Sequence, residues 1–445
     1  MKLAIIGAGW AGMAAAVKAT EAGHHVTVFE ATQSLGGRAR ALANSPTQVL
    51  PNGSPMPLDN GQHILIGAYT ETLQLMRQVG VSPQTALLAL PMTLQFPDGL
   101  GLRFTAWPTP LDALGGILHA RGWSAADKWS LLRVALGWKA KKFNCADTLS
   151  VAELCQYLTP RIKAELIEPL CVSALNTVPE QASAQVFLRV MQDALFGVPG
   201  GSRLLLPRVD LSALFPDAAA QWLQQRGALL QLGQRVASLQ LQGQQWRVQT
   251  ELFDAVILAT SAPHAAKIIG ASTQGAPPSV TEKMQYWAHA AGALQHEAIA
   301  TVYAWAPQAT LPLAMLALRS SAQHPAQFVF DRGQLGGPPG LLAFVVSAAQ
   351  GERATLQAQV LAQAQAQLGL SLQPIQTVVE KRATFACTPG LQRPPAAIAP
   401  GLLACGDYVA GPYPATLEGA VRSGCAAVSL LDANTALALS VKIQA

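Results

Sequence analysis

Gly7, Gly9 and Gly12 stand directly behind the apolar run Leu3-Ala-Ile-Ile, and the acid Glu30 follows about twenty residues later. Residues of these types at this spacing can hold a dinucleotide. Gly7 permits a tight turn, Gly9 lets backbone N–H groups close on a pyrophosphate, and Gly12 lets a helix pack against a strand. The helix N-terminus adds partial positive charge, and a carboxylate at position 30 accepts from ribose hydroxyls. The elements that must position them are a buried strand over residues 3–6, a helix after Gly9, and a second parallel strand, Val26-Thr-Val-Phe, ending at Glu30. Met1 to Val17 also imitates a secretory signal peptide, but the regular glycines and the following strand argue against that reading.

Three further clusters carry chemistry. Gly36-Gly37-Arg38 brings more backbone close to a bound cofactor and adds a guanidinium that can reach a phosphate. Leu58-Asp59-Asn60-Gly61-Gln62-His63 sets polar side chains against an apolar run, which suggests the edge of a pocket. Near the end, a strand from Leu402 closes on Gly406-Asp407, and a helix begins near Thr416-Leu417 with its dipole free to face a developing negative charge.

The totals restrict the function. Of 445 residues, 50% are hydrophobic and only 12% charged, about half the usual charged share. Such a composition suits an apolar partner. A net charge of +5 without a dense Lys/Arg run among aromatics argues against nucleic acid. The six cysteines form neither a CxxC pair nor a metal-ligand cluster, so free thiols in a reducing cytoplasm are expected and no metal is. The uncharged tract Ala298–Leu318 carries Pro307 and Pro312 and reads as strand and loop, not as a membrane helix.

Between Leu87 and Gly201 the pattern predicts helices rich in Leu, Ala and Trp. Trp123–Lys142 reads as an amphipathic helix with a basic end, either in a membrane interface or as a substrate-domain helix with a solvated lysine cluster. Strands are expected at 229–232, 236–241, around Trp246, at 254–260, 298–305, 327–330 and 341–346, and a packed helix over Arg353–Leu368. The chain therefore reads as α/β: a discontinuous Rossmann-like domain (1–86, 202–269, 392–445) with a mixed α+β substrate domain (87–201, 270–391) inserted in it.

Read as one pattern, Gly7 to Arg38 resembles the FAD-binding signature of the amine oxidase and carotenoid (phytoene) desaturase superfamily. The resemblance implies FAD. It places Gly61, Gln62 and His63 beside the isoalloxazine ring, the Val236 backbone at the adenine, Asp407 at the ribityl chain or pyrophosphate, and the helix from Thr416 and Leu417 at the flavin's pyrimidine edge. Over nearly the whole length, Leu58–His63, Pro169-Leu170 with Leu175-Asn176-Thr177, Ala182-Ser-Ala184, Leu204–Pro207, Leu211–Phe215, Arg382–Phe385, Thr388-Pro-Gly390 and the closing signature are similar to the squalene-associated FAD-dependent family, the hydroxysqualene dehydroxylases. That implies acid-assisted loss of an allylic hydroxyl from a long isoprenoid, with His63 ranked first as the acid and Asp59 and Tyr413 as the other candidates. No second GxGxxG follows, so an external electron donor is expected. A carotenoid desaturase or saturase, and a flavin-stabilised lipid carrier without catalysis, remain alternatives; a cytoplasmic protein, peripheral on the membrane's inner face, is the expected setting.

Overall fold

The computed structural model describes residues 1–42, 49–50, 53, 57–105, 107–108 and 111–444. Its first sheet is built from short apolar runs: β1 (Lys2–Ile6), β2 (His25–Phe29), β3 (Leu229–Gln231), β4 (Ala255–Leu258), β5 (Ala397–Ala399) and β6 (Leu402–Ala404). They lie in the order β5-β6-β4-β1-β2-β3, parallel except for the β5-β6 pair. Every residue of β4 is buried, the pattern of a parallel sheet covered on both faces. One cover is α1 (Trp10–Glu21), whose small residues let α2 (Leu417–Gln444) lie close across it. A Cβ on Gly424 would sit 2.3 Å from the Ala11 carbonyl oxygen. Strand order reverses on either side of β1, and the crevice beyond the carboxyl ends of its neighbours is where such sheets bind ligands.

The second sheet is antiparallel, in the order Met315–Ala317, Phe328–Asp331, Leu341–Val346, His296–Trp305, Gln373–Phe385. Alternation along His296–Trp305 gives it two faces. Ala300, Val302 and Ala304 join Phe344 and Val360 in a core beneath the helix Arg353–Leu368, which has the expected bounds. The low-complexity Gln residues of that helix have a structural use: the fully buried Gln363 accepts from the Ala326 N–H and donates to its carbonyl (2.9 and 2.8 Å), completing a backbone that has no strand partner there. The opposite face carries Tyr303, whose hydroxyl donates to the Asp59 carbonyl, and Thr301, which accepts from the Gln62 N–H.

One segment differs from expectation. Leu87–Leu90, Thr93–Gln95 and Gly101–Arg103 are strands, the first paired with Leu204–Pro207, before the helices begin at Leu111. A Leu-rich run has no period that separates a buried strand from a helix, and here the turn decides: Gly101 takes φ +112°, where a Cβ would meet the Leu94 carbonyl oxygen at 2.2 Å. The basic helix spans Ala125–Ala140, started by a reciprocal Ser124–Asp127 capping box. Among the described residues no helix is long and apolar enough to cross a membrane. Ala298–Leu318 falls on strands Met315–Ala317 and His296–Trp305 and the loop between them.

Candidate active site

All the predicted site residues except Gly12 and Asp59 line one cavity of about 1150 Å3. At its polar end the glycine turn is dictated by space. Gly7 takes φ +112°, and a Cβ there would lie 2.7 Å from the Ala259 carbonyl oxygen. Gly12, one turn into α1, would place a Cβ 1.9 Å from the Gly7 carbonyl oxygen, so it sits behind the turn and sets the helix–strand distance. The second glycine pair packs on the first: Gly37, at φ +61°, faces the Gly9 Cα, and the Trp10 indole donates to the Ala39 carbonyl at 2.9 Å to hold the two turns together. The first turn of α1 has neither a side-chain cap nor an acid, which leaves N–H donors facing the groove.

Glu30 directly follows β2 and accepts from the Ala8 N–H and from the Thr32 N–H and hydroxyl, each at 2.9 Å. The carboxylate thus shapes the glycine turn as well as lining the groove. Val236 is buried in the wall of the same cavity and, among the described residues, its backbone N–H and C=O have no protein partner. A dinucleotide fits this cradle.

At the other end of the groove three distant stretches of chain meet. Arg38 donates to Asp407 Oδ1 at 2.5 Å and to the Ala383 carbonyl at 2.7 Å. Gly406 is held by its N–H on the Ser423 hydroxyl, and a Cβ there would meet the Tyr408 ring at 2.7 Å. Thr416 caps α2 by accepting from the Gly419 N–H at 3.0 Å, so Leu417 opens the helix with its N-terminal dipole on the cavity.

The three candidate acids separate. His63 lines the cavity, half-buried, with Nδ1 3.0 Å from the Gly61 carbonyl oxygen. That oxygen only accepts, so Nδ1 carries the proton and Nε2 of the neutral ring is an acceptor. Burial, with Arg38 adding to it, holds the imidazole below its ordinary 6.5. Tyr413 also lines the cavity, in a left-handed conformation (φ +57°) with its ring edge-on to Tyr69. Burial pushes its hydroxyl up to about 12.

Asp59 is a correction to the sequence-based expectation. It is 2% exposed and outside the cavity wall, its Oδ1 accepting from the Leu211 N–H at 2.9 Å and its Oδ2 3.8 Å from the Arg332 guanidinium. Asp59 therefore braces the strand-to-helix turn at Leu211, apart from the side chains that line the cavity. Burial raises its carboxyl from 3.8 to about 6, so the unfolded chain ionises first as pH rises. Stability is then fully present below about pH 4 and falls by about 3 kcal/mol on passing through pH 6. Asp59→Asn is expected to flatten that fall in a denaturant series between pH 4 and 7; an unchanged slope would assign it elsewhere.

Sequence reasoning missed Arg332. It is 4% exposed, faces Asp59, and donates to Gln62 Oε1 at 3.1 Å, fixing which way the Gln62 amide points at the cavity. Its only signal was a charged pair, Asp331-Arg332, closing an apolar strand in a chain with few charges. Beyond these residues the cavity becomes apolar, walled by Leu94, Phe104, Leu170, Phe328, Phe330 and Val345. All six cysteines are free, and four of them are buried.

Comparison with known proteins gives a family and a fold. The family of flavin-containing amine oxidoreductases matches residues 10–431. The hydroxysqualene dehydroxylase of Rhodopseudomonas palustris is 28% identical, covering 96% of this chain and 97% of its own. That of Sinorhizobium fredii is 26% identical, covering 97% and 99%. Among solved structures, an oxidoreductase from Methanosarcina mazei superposes with a TM-score of 0.70 at 15% identity, covering 96% of this chain and all of its own, a likeness of fold.

Proposed function

The chain belongs to the flavin-containing amine oxidoreductase family and is an FAD-dependent oxidoreductase, and from that premise we propose that it converts hydroxysqualene to squalene. The observation that carries this reading is the cavity, which runs without a break from the glycine cradle to an apolar chamber with few charged side chains. Atoms balance simply: a proton and a hydride equivalent enter, and water leaves in place of the hydroxyl.

Bound FAD, when reduced, supplies the two-electron donor. The chain's residues supply the rest. Arg38, Asp407 and the start of α2 orient the cofactor end, while Gly61 keeps the wall low where a ring must pass. His63, ranked before Tyr413, delivers a proton to the departing hydroxyl oxygen. The apolar walls exclude water, which would otherwise recapture an allylic cation, and they include the aromatic side chains Phe104, Phe328 and Phe330. The electron donor is external, and the protein acts in the cytoplasm at the membrane's inner face. We also propose the division into a cofactor domain (1–86, 202–269, 392–445) and a substrate domain (87–201, 270–391).

The test is to reduce the holoprotein without oxygen, add hydroxysqualene, and follow flavin absorbance together with extracted lipid. Reoxidation matched mole for mole by squalene is the expected result. Reoxidation with a product altered at a carbon–carbon bond would select a saturase, and binding without reoxidation a carrier.

A further inference from the structure

The apolar chamber is bordered by a cluster of exposed apolar side chains. Trp107, Leu111, Leu114, Leu118, Trp129, Leu136 and Phe196 are each between 38% and 68% exposed, and they make up seven of the twelve large apolar side chains exposed among the described residues. They share one neighbourhood. Leu111, Leu114 and Leu118 repeat at helical spacing on Leu111–His119, as Trp129 and Leu136 do on Ala125–Ala140. The Lys128 ammonium donates to the Leu118 carbonyl and ties the two helices end to end. Trp107 packs edge-on to His119, and Phe196 packs on Phe143 with Lys139 5.6 Å from its ring. Leu111, Leu114, Leu136 and Phe196 also line the cavity, so the exposed patch borders it at these four side chains.

Charge along the basic helix is nearly all of one sign, although Asp147 is exposed close by and Asp193, in the segment of Phe196, is paired with Arg189. From Arg121 to Asn144 the chain carries Arg121, Lys128, Arg133, Lys139, Lys141 and Lys142 against a single acid, Asp127, which is buried in its capping box. Among the described residues none of Arg133, Lys139, Lys141 and Lys142 pairs with a carboxylate, and all four are exposed. A second copy of this chain, carrying the same cations, would meet them with like charge. An anionic bilayer satisfies both features, since it buries the apolar side chains and attracts the cations around them.

We propose that this face, formed by the helices Leu111–His119 and Ala125–Ala140 with Phe196, docks on an anionic lipid bilayer and opens the cavity to molecules dissolved in it. Docking stands on the surface alone; the identity of the cargo rests on the proposed function.

The experiment sediments the holoprotein with vesicles of phosphatidylcholine, with or without phosphatidylglycerol. Wild type is expected to partition onto the anionic vesicles about tenfold more strongly than onto neutral ones, with the difference fading at high salt. Leu118→Glu with Trp129→Glu, neither of which lines the cavity, is expected to lose binding by about tenfold or more. Lys141→Glu with Lys142→Glu is expected to abolish the anionic preference without touching an apolar side chain. Flavin content and melting temperature of each variant check the fold. Undiminished binding by both variants overturns the proposal. So does a lipid-free wild-type dimer, seen by ultracentrifugation, that Leu118→Glu/Trp129→Glu dissociates while wild type ignores vesicles. Turnover distinguishes the two readings: equal rates in detergent but a loss with vesicle-held hydroxysqualene support docking and cargo together. The expected sedimentation pattern without turnover in either medium leaves docking standing and removes the hydroxysqualene reading.

Discussion

Gly12→Val is expected to yield a protein that does not retain FAD. A Cβ at position 12 would lie 1.9 Å from the Gly7 carbonyl oxygen and 3.0 Å from the Ala259 Cβ, both on rigid backbone or short side chain, so α1 has to move off β1 and β4. Overpacking of this kind costs up to about 3 kcal/mol, and because the same displacement pulls the N–H groups of the first turn away from the pyrophosphate, FAD affinity is expected to fall by about 100-fold or more. Gly9→Ala separates the two effects. A Cβ there meets nothing closer than the Gly37 Cα at 3.9 Å, so the fold has room for it, yet Gly9 lines the groove and the methyl encroaches on a bound phosphate. Purified Gly12→Val should lack flavin absorbance and melt lower, whereas Gly9→Ala should melt like apo wild type and bind FAD weakly. A Gly12→Val protein that keeps its flavin would show that the helix–strand contact does not set the cradle.

This difference between neighbouring glycines explains what the sequence could disclose. Gly7, Gly9, Gly12 and Glu30 are legible because their chemistry is local: the cofactor contacts backbone, and the backbone geometry is written in the glycines themselves. Arg38 and Asp407 were each readable as cofactor residues, but their pairing across 369 positions was not, since it depends on how β6 and the glycine loops share one edge of the sheet. Asp59 was misplaced for the same reason. Its neighbours in sequence line the cavity, but the turn at Leu211 and the buried Arg332 draw its carboxylate to the other side of the wall. A short polar run reveals that a pocket edge is near, and only the fold decides which of its side chains faces in. In the helix Ala125–Ala140 the same limit applies side chain by side chain: Leu131 is buried and Trp138 packs edge-on to Phe187, while Trp129 and Lys139 lie outward, a division that spacing alone did not assign.

The rate of dehydroxylation in a single turnover of the prereduced protein is expected to rise as pH falls through the range below 6.5, and His63→Ala is expected to lose about 100-fold or more together with that pH dependence. The sign follows from the site. With Nδ1 committed to the Gly61 carbonyl, His63 donates toward the cavity only when Nε2 also carries a proton, and burial beside Arg38 makes that form scarcer than in water. The same burial makes the imidazolium a stronger acid than usual, so the proton, once present, transfers readily to a hydroxyl that must leave as water. Tyr413 would behave differently. Its hydroxyl, pushed up to about 12, stays protonated across the neutral range, so a tyrosine-driven reaction would run at a rate independent of pH from 5 to 9. Tyr413→Phe is therefore expected to keep the acid limb of the profile and His63→Ala to erase it. A flat profile that survives His63→Ala and collapses in Tyr413→Phe would transfer the proton to the tyrosine. Its left-handed backbone at φ +57° would then be strain retained to aim that hydroxyl, because a non-glycine residue holds such a conformation only where its surroundings enforce it.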